Sequence, residues 1–233
     1  MSQKTITIIG IIVILCTAGF LYATRPATVP TEGIATVSQK MPAGTIADPN
    51  THIYRISQDE SKVSFSIKEI LRDKPFTAVG TTSEVGGDIL VKTDPDNAKA
   101  APSYSFGEIK VNAKTFKTDD AKRDGAIARF ILKSETAGNE FITFASTGIS
   151  NFKEGTNGKA TFTVNGDMTI AGVTKPVALA VDATITDDTV RGTAHGMIKR
   201  SDFSLAVPNL PFIASVDDTL AIDAVIIAHR IMQ

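Results

Sequence analysis

The chain reads as an all-β protein: an antiparallel barrel of about eight strands with one short helix, preceded by an N-terminal transmembrane helix. Three observations predict this. Apolar and polar residues alternate with period two in one short segment after another from His52 onward, the pattern of half-buried strands. One stretch, 118–134, switches to helical spacing, and residues 5–23 carry no charge at all.

The uncharged stretch comes first. "TITIIGIIVILCTAGFLYA" is nineteen residues long, about what a helix needs to cross a hydrocarbon core. The apolar region of a cleaved signal is usually shorter and ends in small residues, and Leu21 and Ala23 fit that poorly. No small residue precedes Cys16 as a lipoprotein signal requires. Residues 1–23 therefore read as an uncleaved anchor, with a cleaved signal as the alternative. Either places the remainder outside the cytoplasm; the anchor makes it a single-pass cell-membrane protein with its domain on the periplasmic or extracytoplasmic side. Residues 24–51 hold four prolines and little periodicity, and read as a linker reaching about 30 Å as a flexible coil.

Residues 52–233 form the predicted domain. Its strand segments are "KVSFSIK", "GDILV", "GEIKVNA", "FITFAST", "ATFTVNGDMTI", "PVALAVDATI", "VRGTAHGMI" and "TLAIDAVIIA". Asp94-Pro95, Asn157-Gly158 and Asp187-Asp188 supply turns between them. In "TDDAKRDGAIARFILKS", Thr118 or Asp119 can cap a helix whose one face carries Ile127, Phe130 and Ile131. "AGVTKP", between two alternating runs, reads as a hairpin connection, with Gly172 allowing the bend and Pro176 at a strand start. So many antiparallel strands avoid open edges by rolling into a barrel or stacking as a sandwich.

Four segments together carry a resemblance. "GDMTIAGVTKPVAL" (166–179), "IKRSDFSL" (198–205), "EFITFAST" (140–147) and "KRDGAIARFIL" (122–132) resemble, in order, the motifs of the YceI-like family of periplasmic polyisoprenoid-binding proteins. The similarity spans about residues 52–230. Two departures stand out: Arg123-Asp124 is followed by Gly-Ala-Ile where many members have His-Leu and a Phe pair, and Ser204 replaces a glycine. The second departure is expected to matter little.

The resemblance implies a lipocalin-like barrel with a long apolar pore for an isoprenoid tail. Inward candidates are Phe65, Ile89, Val91, Ile109, Val111, Ile142, Phe144, Phe162, Val164, Ile170, Leu179, Val181, Ile222 and Ile226. Head-group candidates are Lys122, Arg123, Lys199 and Arg200, because arginine matches phosphate geometry. The plainer alternative pairs Arg123 with Asp124 and Arg200 with Asp202 as structural ion pairs. The expected partners are a polyisoprenoid lipid such as an isoprenoid quinone or polyprenyl phosphate, the membrane, and a second copy of the chain. The alternative function is a filled barrel serving as an envelope stress or scaffold component, which the sequence alone does not separate from a hollow one.

Other chemistry finds no support. His52, His195 and His229 are isolated, so no metal site is expected, and His195 has the parity of an outward face. The pairs Asp119-Asp120, Asp187-Asp188 and Asp217-Asp218 read as cap and turn residues, not catalytic dyads. No nucleophile elbow, phosphate loop or dinucleotide fingerprint occurs, so neither an enzyme nor a cofactor is expected. A net charge of -1 argues against nucleic acid.

Overall fold

A computed structural model describes residues 34, 50–92, 103–208 and 213–231. The predicted anchor at 5–23, most of the linker and the Asp94-Pro95 turn lie outside the described residues. Among the described residues no helix is long and apolar enough to cross a membrane. Of the linker, Ile34 is described: it is buried, and its N–H donates to Glu84 Oε2 at 3.2 Å.

The described chain forms one sheet of twelve strands, not eight. The strands are β1 (Thr51–Ile56), β2 (Lys62–Leu71), β3 (Lys74–Thr82), β4 (Val85–Gly86), β5 (Asp88–Lys92), β6 (Ser103–Phe106) and β7 (Ile109–Asn112). After the helical segment come β8 (Phe141–Glu154), β9 (Lys159–Ile170), β10 (Val173–Ile185), β11 (Thr189–Lys199) and β12 (Ile213–Arg230). All eight predicted segments are strands; β1, β3, β4 and β6 are the additions. Every pairing is antiparallel, in the order β4-β7-β8-β9-β10-β11-β12-β1-β5-β6. The long β12 divides its second edge: Ile213 to Val225 pair with β2, and Ala228 to Arg230 pair with β1. β3 then extends β2.

The sheet curls because the chain joins the two ends of that path. β4 stands at one end and β5 near the other, yet only Gly87 separates them. Gly87 has φ 152°, and a Cβ there would lie 2.6 Å from Ile109 Cδ1 and 3.0 Å from the Glu108 carbonyl. Only glycine lets the chain leave β7 for β1 at this point. The Gly87 carbonyl accepts from the Ile56 N–H at 3.0 Å, tying the corner to β1. Side chains complete the closure where β6 returns against β8, with Tyr104 stacked on Phe152 at 5.5 Å. The result is an open-sided barrel around an apolar interior.

The helical segment is shorter than its periodicity suggested. Helix α1 (Ala121–Ala126) is capped by Asp120, whose side chain accepts from the Lys122 and Arg123 N–H groups, so neither Thr118 nor Asp119 is the cap. A π-helical turn, Ile127–Ile131, continues it. Thr118 instead donates through its N–H and hydroxyl to Asp124 Oδ1, at 2.7 Å each.

Two turn assignments also change. The β9–β10 hairpin needs two residues, Ala171 (φ 49°) and Gly172 (φ 80°), the left-handed pair of a type I′ turn. Val173 to Pro176 already belong to β10, with Pro176 opposite Asp167. Pro176 is tolerated because β11 pairs with β10 only from Ala180 onward, leaving that edge without a partner strand to receive an N–H. Asp217 and Asp218 are likewise inside β12, at a register shift, where Asp218 accepts from the N–H and hydroxyl of Ser201 at 3.0 and 2.7 Å. These bonds hold the Asp218 carboxyl below its usual pKa. Asp187-Asp188 does form the β10–β11 turn.

The family's glycine matters more than expected. Ser204 closes a 3₁₀ turn (Arg200–Phe203) at φ 55°, a left-handed conformation that suits glycine. Two substitutions test these backbone constraints in opposite directions. Gly87→Ala should destabilise by about 1–3 kcal/mol from backbone strain alone, whereas Ser204→Gly should stabilise by about 1 kcal/mol. Urea denaturation of both proteins measures the two effects, and a neutral Gly87→Ala would refute the closure argument.

Candidate functional site

The inner face of the sheet encloses a cavity of about 730 Å³, within the range of roughly 300–1,000 Å³ that small-molecule sites occupy. All fourteen predicted inward residues line it. The parity of each strand puts them there: on β11, for example, Val190, Ala194 and Ile198 face in while His195 faces out beside Asp223. The barrel is not filled. Val63 and Leu71, eight residues apart on β2, both line the cavity, so at about 3.3 Å per residue it runs roughly 26 Å.

The wall keeps this space by letting large side chains lie flat over glycines on neighbouring strands. Phe65 faces Gly80 across β2 and β3, and a Cβ on Gly80 would sit 2.3 Å from the ring. Leu179 leans over Gly196, and Phe144 over Gly166, with the equivalent distances both 2.5 Å. Side chains spread along the wall in this way leave the axis clear.

The two ends differ. One is aromatic: Tyr104, Phe106 and Phe162 line it, with Tyr104 and Phe162 parallel to within 2° at 6.2 Å. Nearby, the Tyr54 hydroxyl donates to the carbonyls of Thr186 and Asp187 at 3.1 and 3.2 Å, pinning β1 to the β10–β11 turn. Burial raises the pKa of both Tyr54 and Tyr104. The opposite end is charged. Among the described residues, six charged ones line the cavity, Glu69, Arg72, Asp120, Lys122, Arg123 and Arg200, and they gather around the β2–β3 turn, α1 and the β11–β12 connection. That end is the mouth.

Three of the four head-group candidates are there; Lys199 is not among the lining residues, because Ile198 takes the inward position on β11. The expected pairings are replaced by others. Arg123 bonds Glu69 Oε1 at 3.4 Å and also Asp119, with its guanidinium 5.1 Å from the centre of the Phe76 ring. Asp124 is occupied by Thr118 and, at 3.7 Å, by Lys117. Arg200 donates to the backbone carbonyls of Asp217 and Leu205 at 3.1 and 3.2 Å, not to Asp202. Arg123 and Arg200 thus brace the mouth.

Arg72 and Lys122 are different. Both are exposed, and neither side chain enters a hydrogen bond or ion pair among the described residues. Sequence reasoning missed Arg72 and Glu69. Glu69 was legible, since it shares parity with Phe65 and Ile67 and so faces inward. Among the described residues no group of His, Cys, Asp and Glu could hold a metal ion.

The glycine–aromatic contact gives a direct test of the open lumen. Gly80→Val should force the Phe65 ring off the wall into the cavity, at a cost of about 1–3 kcal/mol for overpacking. Binding of an apolar fluorescent dye such as N-phenyl-1-naphthylamine should fall several-fold in the folded variant. Unchanged dye binding would mean that Phe65 does not border the accessible space.

The fold has relatives of known structure. BcnA of Burkholderia cenocepacia superposes with a TM-score of 0.54 at 24% identity, covering 74% of this chain and 99% of its own. A polyisoprenoid binding domain from Saccharophagus degradans, implicated in plant cell wall breakdown, gives 0.57 at 13% identity, covering 76% and 98%. At such identities the likeness is one of fold. Among curated proteins none matches the sequence. The family model of the YceI-like domain matches residues 54–228, a span that runs from β1 to β12 and takes in the whole cavity. The chain belongs to the YceI-like family.

Proposed function

We propose that this domain holds one polyisoprenoid chain, as the tail of an isoprenoid quinone or polyprenyl phosphate, and carries it outside the cytoplasm while the N-terminal stretch anchors the protein in the membrane. The observation that carries the reading is the cavity itself: long, apolar along its length, and charged only at its mouth. A tail lying along the axis would meet Leu179, Phe65 and Ile222, with its head group among Arg72, Lys122 and the braced arginines. The description of the Saccharophagus degradans domain as polyisoprenoid binding supports the same ligand class.

Energetics define the task. Shielding an isoprenoid from water is worth about 0.8 kcal/mol per CH₂, or roughly 3–4 per five-carbon unit. The bilayer already provides that shelter, so transfer into the barrel is close to neutral. The protein makes the tail portable, and the head group sets selectivity.

The reading predicts lipid in the purified protein. Native mass spectrometry and solvent extraction of the wild type should recover one polyisoprenoid per chain. Leu179→Trp, which fills the lumen, should lose that lipid while keeping its denaturation midpoint. A lipid-free wild type, together with a Leu179→Trp protein destabilised by about 1–3 kcal/mol as overpacking requires, would refute the carrier.

Anchoring has its own test. The mature protein should resist extraction by high salt and begin at its native amino terminus. A mature start near Thr24 would establish cleavage instead.

A further inference from the structure

The lip of the cavity is built differently from the rest of the surface. Phe130, in the π-helical turn that follows α1, lines the cavity yet remains 38% exposed. Leu71, Val207, Pro208 and Val216 join it around the opening. The other large exposed apolar residues among the described ones, Val79, Met197 and Val225, belong to three different strands and do not line the cavity; singly exposed residues of that kind are ordinary. A phenylalanine set among apolar neighbours at an opening is not.

The charges at the lip are also distinctive. Among the described residues lining it, cations outnumber carboxylates four to two. Both carboxylates are engaged, Asp120 in capping α1 and Glu69 with Arg123. The cations left without partners among the described residues are Arg72 and Lys122. Arg72 is held at the tip of the β2–β3 turn at φ 52°, a conformation an arginine adopts only against steric resistance. An apolar lip flanked by unpaired Lys and Arg is the composition of surfaces that seat in the headgroup region of anionic membranes.

We propose that the mouth is a bilayer-docking surface: Phe130 and its apolar neighbours enter the headgroup–acyl boundary while Arg72 and Lys122 engage lipid phosphates. The inference rests on the carrier reading and extends it. Docked in this way, the cavity opens onto the hydrocarbon, and an isoprenoid tail passes between them without crossing water.

The chain contains no tryptophan, so a single introduced one reports its own surroundings. The experiment uses the full chain carrying Phe130→Trp, Tyr104→Trp at the aromatic end, or Val225→Trp on the outer wall. Each is reconstituted in phosphatidylcholine vesicles with brominated acyl chains, with and without phosphatidylglycerol. Docking predicts quenching of Phe130→Trp several-fold above Val225→Trp. That quenching should require phosphatidylglycerol, weaken at high salt, and disappear when Arg72→Glu and Lys122→Glu are added, with circular dichroism unchanged.

Quenching of Phe130→Trp no stronger than that of Val225→Trp would overturn docking, and the mouth would then serve a protein partner. Equal quenching of Phe130→Trp and Tyr104→Trp, independent of phosphatidylglycerol, would also overturn it by showing brominated lipid taken into the cavity. Solvent extraction separates this result from the carrier itself. Lipid in the wild type without lip quenching leaves a carrier that does not dock there, whereas charge-dependent lip quenching in a lipid-free protein leaves docking without cargo.

Discussion

Everything else in this barrel depends on one residue having no side chain. The pairing path ends at β4 on one side and reaches β5 near the other, and Gly87 joins them directly. A sheet whose opposite ends are one residue apart in the chain cannot lie flat. Curvature is thus set by covalent connectivity, with the hydrogen-bonded strands fitted to it. The stacking of Tyr104 on Phe152 secures the same closure at the aromatic end.

A curled sheet of apolar inner face would ordinarily collapse and fill. This one resists because bulk and absence of bulk are paired across the wall, as with Phe65 and Gly80 or Leu179 and Gly196. Rings and branched chains lie along the sheet, and dispersion contacts that a filled core would make across the axis are made sideways. The mouth obeys a different rule. Glu69 is buried at the edge of an apolar chamber, and its charge is tolerable because Arg123 reaches it from α1. The same arginine packs over Phe76, so one side chain fastens the helix to both β2 and β3.

Much of this was legible in the residues, for a definite reason. Where a strand has one buried face, period two exposes it, and the inward residues of β2, β5 and β7 through β12 could be read directly. The missed strands lack that signature. In β1, adjacent Ile53 and Tyr54 are both buried, so no alternation appears. In β3 the inner positions carry Ala78 and Gly80, too small to mark an apolar face, and Phe65 covers Gly80. β4 and β6 have two and four residues. Ion-pair partners were misjudged because nearness in sequence is a poor guide across a barrel: Arg123 finds Glu69 54 positions away, past its neighbour Asp124. Ser204 was undervalued since a left-handed backbone leaves no mark in composition.

The open edges of the sheet have a consequence wherever copies of the chain meet at high local concentration. An unpaired strand edge offers its backbone to any passing strand, and aggregation begins there. β3 is bordered by β2 alone but for a bridge at Thr81, and β10 before Ala180 is bordered by β9 alone. Each of these edges carries the same dipeptide, Lys74-Pro75 and Lys175-Pro176. The proline removes a donor from the edge, and the lysine makes its burial costly. Copies crowded together therefore remain separate molecules along these seams. Association along these two edges has to form face against face, where side chains and not backbones decide the partner.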